Sequence, residues 1–238
     1  IVNGWERLDY IKPSPDFHPS LSFDFDEAFD VVATEVANVA ANVGLTEVNG
    51  FNRIEITGED RHAFLDRMIC GTVTKRDGRV GLGYLLNKQG CVKAEATVAN
   101  LPASDRGLDR VWYGSAAASE YHDMDWLTAH LDPGEDVQLR SLTNDHTILV
   151  LAGPKARAVL SDCARGDWSA AAFPWLSVRE CCIGFAPAVV MGVSFSGELA
   201  YEIHVPNASL YAAYLALREA GKAHGLKLFG ARAIESMR

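Results

Sequence analysis

The sequence lacks any apolar run of about 18 residues, the length that a membrane-spanning helix needs. It also lacks a basic run, and its formal net charge is −9 at pH 7. Nucleic-acid binding normally requires clustered positive charge, so this composition argues against such a partner. We therefore expect a globular protein that binds neither membranes nor nucleic acid.

Cysteine is infrequent and is not spaced for metal binding. The chain has five cysteines, an odd number, at Cys70, Cys91, Cys163, Cys181 and Cys182. Because structural disulfides belong mainly to secreted proteins, free thiols in a reducing compartment are the expected state.

The pattern nearest to a metal site is His122-Asp123-Met124-Asp125. On a helix, His122 and Asp125 share one face while Asp123 points elsewhere. The sequence offers no third ligand to complete such a site. We therefore expect a solvated helix face at this position and no metal site in the protein.

The chain of 238 residues, 48% of them hydrophobic, is long enough to bury a substantial core. Its first 25 residues hold Pro13, Pro15 and Pro19 without a regular period, which predicts an extended arm or linker. From residue 26 onward, helical and strand patterns mix without regular alternation. This favours an α+β fold with mixed or antiparallel sheets and flanking helices, and not a doubly wound fold.

The longest strand pattern runs from Val193 to Pro206, with apolar residues on one face and polar residues on the other. Gly197 predicts a bulge or tight bend, and the polar face includes Glu198 and Glu202. A carboxylate held on a rigid strand can bind a ligand that carries two parallel N–H groups. The alternative is a strand whose polar face is only solvated.

Two further strand patterns, residues 79–86 and 91–101, flank the four-residue hairpin turn NKQG. The first contains Tyr84 and the second contains Glu95. By pattern alone, Glu95 is an exposed strand carboxylate. Tyr84 fits a position in the core.

Several segments together resemble the glycine cleavage T-protein (aminomethyltransferase) family. VSFSGELAYEIHVP at residues 193–206 is similar to that family's signature, TGE-x-G-[FYW]-E-[IL]. Further matches follow the expected order: GWER (4–7), NKQGCVKAEATV (87–98), LAGPKARAVL (151–160) and LFGARAIESMR (228–238). Within the family, the likeness is to the folate-binding part of dimethylglycine and sarcosine dehydrogenases, and it covers nearly the whole chain.

The resemblance implies a T-protein-like folate-binding fold that lacks its C-terminal β-barrel. Residues 1–25 would be an arm or linker from an upstream domain. Residues 26–238 would form a folate-binding, aminomethyltransferase-like region of two intertwined α+β subdomains, truncated at the C-terminus. The chain begins with isoleucine and ends inside a helical pattern, which agrees with its interpretation as part of a larger protein.

The resemblance also implies roles for individual residues. Glu202 matches a glutamate that clamps the pterin ring of folate through paired N–H groups. Glu95 matches the catalytic second acid of an Asp-Asp pair, whose first acid is replaced here by Ala94. Glutamate keeps a carboxylate for orientation or proton handling, but its side chain is one methylene longer.

Three further contacts complete the expected folate site. Arg232 matches an arginine that approaches the folate, although the pattern alone also fits a surface cation at the start of a helix. Tyr84 and Phe195 are expected to stack on the pterin, and the alternative is that both are core residues.

The function implied by the resemblance is tetrahydrofolate-dependent one-carbon transfer. The methylene group of an oxidised N-methylglycine, either dimethylglycine or sarcosine, would be captured as 5,10-methylenetetrahydrofolate. FAD on a separate or upstream oxidoreductase domain would oxidise this small-molecule substrate. The expected location is cytoplasmic, or the mitochondrial matrix in a eukaryote. The alternatives are a non-catalytic folate-binding module and a purely structural module of a larger protein.

Overall fold

The computed structural model describes residues 6–20, 23–24, 27–102 and 109–238. The chain divides into two compact units. Unit 1 comprises Ile1–Val48, Thr147–Trp175 and Cys181–Arg238, and unit 2 comprises Asn49–His146 and Leu176–Glu180. The start of the GWER segment and the expected boundary between residues 25 and 26 lie outside the described residues.

Helices and strands are interspersed along the described chain. The helices are α1 (Ala28–Ala41), α2 (Arg61–Met68), α3 (Glu120–Ala129), α4 (Ala156–Cys163), α5 (Leu210–Gly221) and α6 (Ala231–Ser236). The strands are β1 (Val43–Glu47), β2 (Ile54–Thr57), β3 (Ile69–Cys70), β4 (Arg79–Leu86), β5 (Val92–Leu101), β6 (Arg110–Gly114), β7 (Gln138–Ser141), β8 (His146–Ala152), β9 (Val178–Ile183), β10 (Ala186–Met191), β11 (Ala200–Pro206) and β12 (Leu226–Leu228).

Unit 1 contains most of a mixed six-stranded sheet in the order β12-β1-β8-β11-β10-β9. β1 runs parallel to β12 and antiparallel to β8, and β10 runs antiparallel to β11. Because side chains alternate along a strand, Tyr201, Ile203 and Val205 of β11 enter one core. That core also holds Val159 of α4 and Leu217 of α5. The packing of this face determines which side chains of β11 remain on the opposite face.

Unit 2 contains an antiparallel six-stranded sheet in the order β3-β4-β5-β6-β2-β7. Ala94, Ala96 and Val98 of β5 lie in a core with Phe64 of α2 and Leu127 of α3. The residues between them on β5 face away from this core. The two sheets with flanking helices confirm the predicted α+β class.

The prediction of one strand from Val193 to Pro206 is wrong for its first half. β11 begins at Ala200, and residues 193–199 form a bent segment. Gly197 has a φ of 87°, a left-handed conformation that interrupts an extended chain. As a result, Phe195 and Leu199 are exposed instead of lining the buried face of a strand.

Three expectations drawn from the composition concern the cysteines, membrane-spanning helices and metal sites. All five cysteines are free thiols, as expected. Across the described part of the chain, no helix has both the length and the apolar character required to cross a bilayer. The same residues contain no group of three or more histidine, cysteine, aspartate or glutamate side chains suited to a metal ion.

Candidate functional site

In unit 2, Tyr84 and Glu95 stand directly opposite each other on the neighbouring strands β4 and β5. Cys70 of β3 is the partner of Tyr84 on its other side, so the three residues form one row across the sheet. All three are exposed, and 44% of the Tyr84 surface is accessible. The alternation of β4 and β5 thus brings together the two unit 2 residues that were predicted from the sequence.

The NKQG turn sets the register that pairs these two residues. The Asn87 side-chain oxygen accepts hydrogen bonds from the backbone N–H groups of Gln89 (3.0 Å) and Cys91 (2.9 Å). Gly90 has a φ of 79°, which a residue with a side chain rarely adopts. The predicted hairpin is therefore confirmed, and its turn is stabilised by local residues.

Glu95 is an exposed carboxylate without a fixed partner. Within the described residues it makes no hydrogen bond or ion pair. Ala94, which precedes it, is only 9% exposed and belongs to the core. The strand therefore presents a single acid at this position on its open face, and that acid is available to a ligand.

In unit 1, Glu202 lies in the middle of β11, opposite Met191 of β10. Its side chain is 24% exposed, so the carboxylate is partly buried. The Nε2 atom of His204 lies 3.2 Å from the Glu202 Oε2 atom, and the His204 side chain is buried. Because Tyr201 and Ile203 enter the core, Glu202 and His204 share the opposite face of the strand.

Glu198 does not share a strand face with Glu202, because Glu198 lies in the bent segment before β11. Instead, it lines a cavity of about 100 Å³ together with Tyr201. The side-chain period that grouped the two glutamates in the sequence therefore does not extend through Gly197.

Arg232 lies in the first turn of α6 and binds the chain segment that precedes α1. Its Nε atom lies 3.0 Å from Oδ2 of Asp9, and its guanidinium carbon lies 5.4 Å from the ring centre of Tyr10. The backbone N–H of Arg232 donates to the carbonyl of Asp9 (3.1 Å). This side chain is therefore engaged by residues of its own unit.

Phe195, in the bent segment before β11, is 53% exposed. The guanidinium carbon of Arg238 lies 4.3 Å from the ring centre, a cation–π contact. The exposed ring can stack on a flat ligand, and such a ligand would compete with Arg238 for its surface.

A buried carboxylate on α1, Glu35, was not identified from the sequence. Its two oxygens accept hydrogen bonds from the backbone N–H of Ile11 (2.6 Å) and of Gly230 (3.0 Å). A Cβ atom at Gly230 would lie 2.2 Å from the carbonyl oxygen of Asp9, so only glycine permits this close approach. The backbone segments around Ile11 and Gly230 therefore meet at the Glu35 side chain.

His122 and Asp125 are exposed, in agreement with the expected solvated helix face, whereas Asp123 points elsewhere and is fully buried in unit 2. Its Oδ2 atom accepts hydrogen bonds from the hydroxyls of Tyr113 (2.9 Å) and Ser115, and from the Asn52 amide (3.4 Å). Its Oδ1 atom lies 3.3 Å from Nδ1 of His122. Burial, followed by the neighbouring Asp123 charge, raises the pKa of Tyr113 well above its usual range.

The fold of this chain is that of an aminomethyltransferase-type domain. A crystal structure of glycine cleavage system aminomethyltransferase T from Bartonella henselae aligns with a TM-score of 0.70 at 20% identity, covering 93% of this chain and 58% of that one. The sequence matches the family described as GCVT N-terminal domain over residues 1–238, so the chain belongs to that family. The resemblance inferred from its motifs is confirmed.

Two similar proteins carry the names of oxidoreductases, and this chain matches only a part of each. Sarcosine oxidase subunit alpha from Rhizobium meliloti (strain 1021) is 34% identical over 210 residues, covering 87% of this chain and 21% of its own length. Mitochondrial dimethylglycine dehydrogenase from Rattus norvegicus is 30% identical over 237 residues, covering 99% and 27%. The chain thus spans about a quarter of the length of these relatives.

Proposed function

We propose that this chain is the tetrahydrofolate-binding, aminomethyltransferase-like part of a larger dimethylglycine- or sarcosine-oxidising flavoenzyme. In this role it captures the methylene group of the oxidised N-methylglycine as 5,10-methylenetetrahydrofolate. FAD belongs to a separate or upstream domain, and the expected location is the cytoplasm or the mitochondrial matrix. Residues 1–25 are the arm, and residues 26–238 form the folate-binding region. The observation that carries the proposal is the partly buried Glu202 carboxylate on β11.

The chemistry of Glu202 fits a reduced pterin. Each carboxylate oxygen has two lone pairs, so the 3.2 Å contact between His204 and Oε2 leaves acceptor capacity on both oxygens. A pterin presents a ring N–H and an exocyclic amine side by side, which a carboxylate can accept as a pair. Partial burial strengthens these hydrogen bonds relative to those of a fully hydrated group.

Glu95 fits the role of a proton acceptor. It is exposed and, within the described residues, unpaired, so its carboxylate can approach a ligand nitrogen. Tyr84 stands directly opposite and exposes 44% of its surface, which offers an aromatic ring for stacking on a flat ligand. Within unit 2, Glu95 therefore supplies the proton acceptor and Tyr84 supplies the stacking surface.

Bound tetrahydrofolate supplies the ring nitrogens that take up the one-carbon unit. The residues of this chain contribute binding and orientation through Glu202, and Glu95 accepts the proton that a ring nitrogen loses. Phe195 adds an exposed aromatic surface. Arg232 contacts the folate while it keeps its ion pair with Asp9.

Calorimetric titration of tetrahydrofolate into the complete natural protein tests this assignment. Glu202→Gln keeps the size of the side chain but removes the charge, and we expect about 30- to 150-fold weaker binding, equivalent to about 2–3 kcal/mol. Glu198→Gln is the matched control, because Glu198 lies outside β11, and it should bind like wild type. Equal tetrahydrofolate affinity of wild type and Glu202→Gln would show that the Glu202 carboxylate does not bind the pterin.

The alternative function is a non-catalytic folate-binding or structural module. It is favoured by one observation: the position that resembles the first acid of the family pair is the buried Ala94. Product formation in Glu95→Gln separates the two functions. The catalytic role predicts unchanged tetrahydrofolate binding with a large loss of 5,10-methylenetetrahydrofolate formation. Wild-type product formation by Glu95→Gln would support the module, and absence of binding by wild type would support a structural role.

A further inference from the structure

A groove lies within unit 1, at one edge of its sheet. The strand order places β12 at this edge, where β1 is its single neighbour among the described strands. The groove has a volume of about 570 Å³, and typical ligand pockets have about 300–1,000 Å³. It is lined by residues 11–13, by the first half of α1, by Arg218 of α5 and by all three residues of β12. We call this feature the edge groove.

The backbone of β12 has an open side at this groove. β12 runs parallel to β1 with Leu228 opposite Leu45, and the N–H of Phe229 donates to the carbonyl of Leu45 (3.2 Å). Residues that bond one neighbouring strand alternate with residues whose N–H and C=O groups point the other way. Leu226 and Leu228 therefore direct these groups away from β1, and within the described residues the groups make no hydrogen bond. Unpaired backbone groups of this kind can pair with one more strand.

Helices cover both faces of the sheet beside the edge groove. Leu226 and Leu228 pack against the core that includes α5. Lys227 points to the opposite face, which α1 covers, because a Cβ atom at its β1 partner Gly44 would lie 2.6 Å from the Val39 side chain. An added strand would therefore direct alternate side chains towards α5 and towards α1.

The edge groove carries more positive than negative charge. Lys12, Arg218 and Lys227 line it and are exposed, and none of them forms an ion pair within the described residues. Of the two carboxylates in the lining, Glu35 is engaged by two backbone N–H groups and Asp30 is exposed. In a protein whose net charge is −9, this concentration of cations favours an acidic partner by charge complementarity.

We propose that the edge groove binds an acidic, extended segment of a partner protein, which joins the six-stranded sheet as one more strand. The segment alternates apolar and acidic residues. Its apolar side chains lie beside Leu226 and Leu228, and an acidic side chain lies beside Lys227, because directly opposite residues of neighbouring strands share a face. β1 and β8 separate β12 from β11, so this binding depends neither on Glu202 nor on folate.

Fluorescence anisotropy with the complete natural protein tests the charge preference. The probe is a dye-labelled hexapeptide that alternates valine and glutamate, and a valine–lysine hexapeptide is its control. We expect the glutamate probe to bind at least about tenfold more tightly than the lysine probe. Lys227→Glu should weaken the glutamate probe at least about tenfold, because repulsion replaces attraction. Arg165→Glu, an equal change of charge at an exposed position of unit 1 outside the groove, should stay within about twofold of wild type.

N-methylated probes test the backbone pairing. Alternate N–H groups of an extended peptide point to opposite sides, so methylation of the valine nitrogens and of the glutamate nitrogens blocks opposite edges. We expect one of these probes to bind at least about tenfold more weakly than the parent probe, and the other to stay within about threefold of it. Equal affinities of the two methylated probes would overturn the proposal, as would absence of binding by the parent probe or equal binding of the lysine probe. These comparisons need only wild-type protein, so they remain decisive if Lys227→Glu fails to fold.

Discussion

The hydroxyl oxygen of Tyr113 lies 2.9 Å from Oδ2 of Asp123, and both side chains are buried in unit 2. The two residues belong to β6 and α3, so this contact joins a strand to a helix. A buried carboxylate is tolerated only when its oxygens are hydrogen-bonded, and Asn52 and Ser115 provide further donors. The network is a structural requirement of unit 2.

Removal of this carboxylate should strongly destabilise the protein. We expect Asp123→Ala to lower the free energy of unfolding by about 3 kcal/mol, because three buried donors lose their acceptor. Urea unfolding followed by circular dichroism measures the change. Asp125→Ala, an exposed position on the same helix, is the control and should stay within about 0.5 kcal/mol of wild type.

Alkaline pH should destabilise the fold through Tyr113. At neutral pH the phenol is protonated in both states, but burial and the Asp123 charge hold its folded pKa above the unfolded value of about 10. As the pH rises through about 10, the unfolded state loses its proton first, so the free energy of unfolding falls. Urea unfolding at about pH 8 to 11 should give a shallower decline for Tyr113→Phe. Tyr121→Phe, which alters an exposed phenol, should keep the wild-type slope.

Tetrahydrofolate should protect Cys70 from thiol reagents. Cys70 lies beside Tyr84 in the exposed row that includes Glu95, so a ligand stacked on Tyr84 would hinder access to the thiol. Mass spectrometry after brief alkylation should show slower labelling of Cys70 in the presence of the ligand. Cys182, an exposed thiol in unit 1, serves as the internal reference. Unchanged labelling of Cys70 at saturating tetrahydrofolate would argue against a folate contact at Tyr84.

Cys163, at the end of α4, should react much more slowly than the exposed cysteines. Burial, with a smaller effect from the Asp162 charge, raises the pKa of its thiol to about 11. At about pH 8 the reactive thiolate is then on the order of a hundredfold rarer than in an unperturbed cysteine. Timed alkylation with peptide mapping measures the rates. Labelling of Cys163 as fast as Cys182 in the folded protein would contradict the burial of the Cys163 thiol.

Local residue patterns predicted the elements that depend on local interactions. The NKQG turn, β4 and the open face of β5 follow from Asn87, Gly90 and simple alternation, so Glu95 could be placed from the sequence. The predicted strand at residues 193–206 failed because the alternation continues through Gly197, whereas the backbone does not. Periodicity shows which side chains could share a face, whereas the place where the chain turns was indicated by Gly197, at which a tight bend was expected.

The sequence did not reveal which polar side chains are buried or which distant residues they contact. Asp123 is separated from Asn52 by 71 positions, and Glu35 from Gly230 by 195. Nothing in the residues adjacent to either acid indicates such partners, because these contacts arise only when distant segments pack together. The unpartnered hydroxyl of Tyr201 was hidden for the same reason, since an aromatic residue on an apolar strand face is normal for a core.

The bidentate contact of Glu35 has a consequence for local motion within unit 1. The segment around Ile11 and the start of α6 share this single acceptor, and Gly230 admits the carbonyl of Asp9 where a methyl group would collide. Neither segment can detach without leaving a buried oxygen of Glu35 unsatisfied. The two should therefore open as one cooperative foldon, with the amides of Ile11, Gly230 and Arg232 exchanging their hydrogens for deuterium at a common rate.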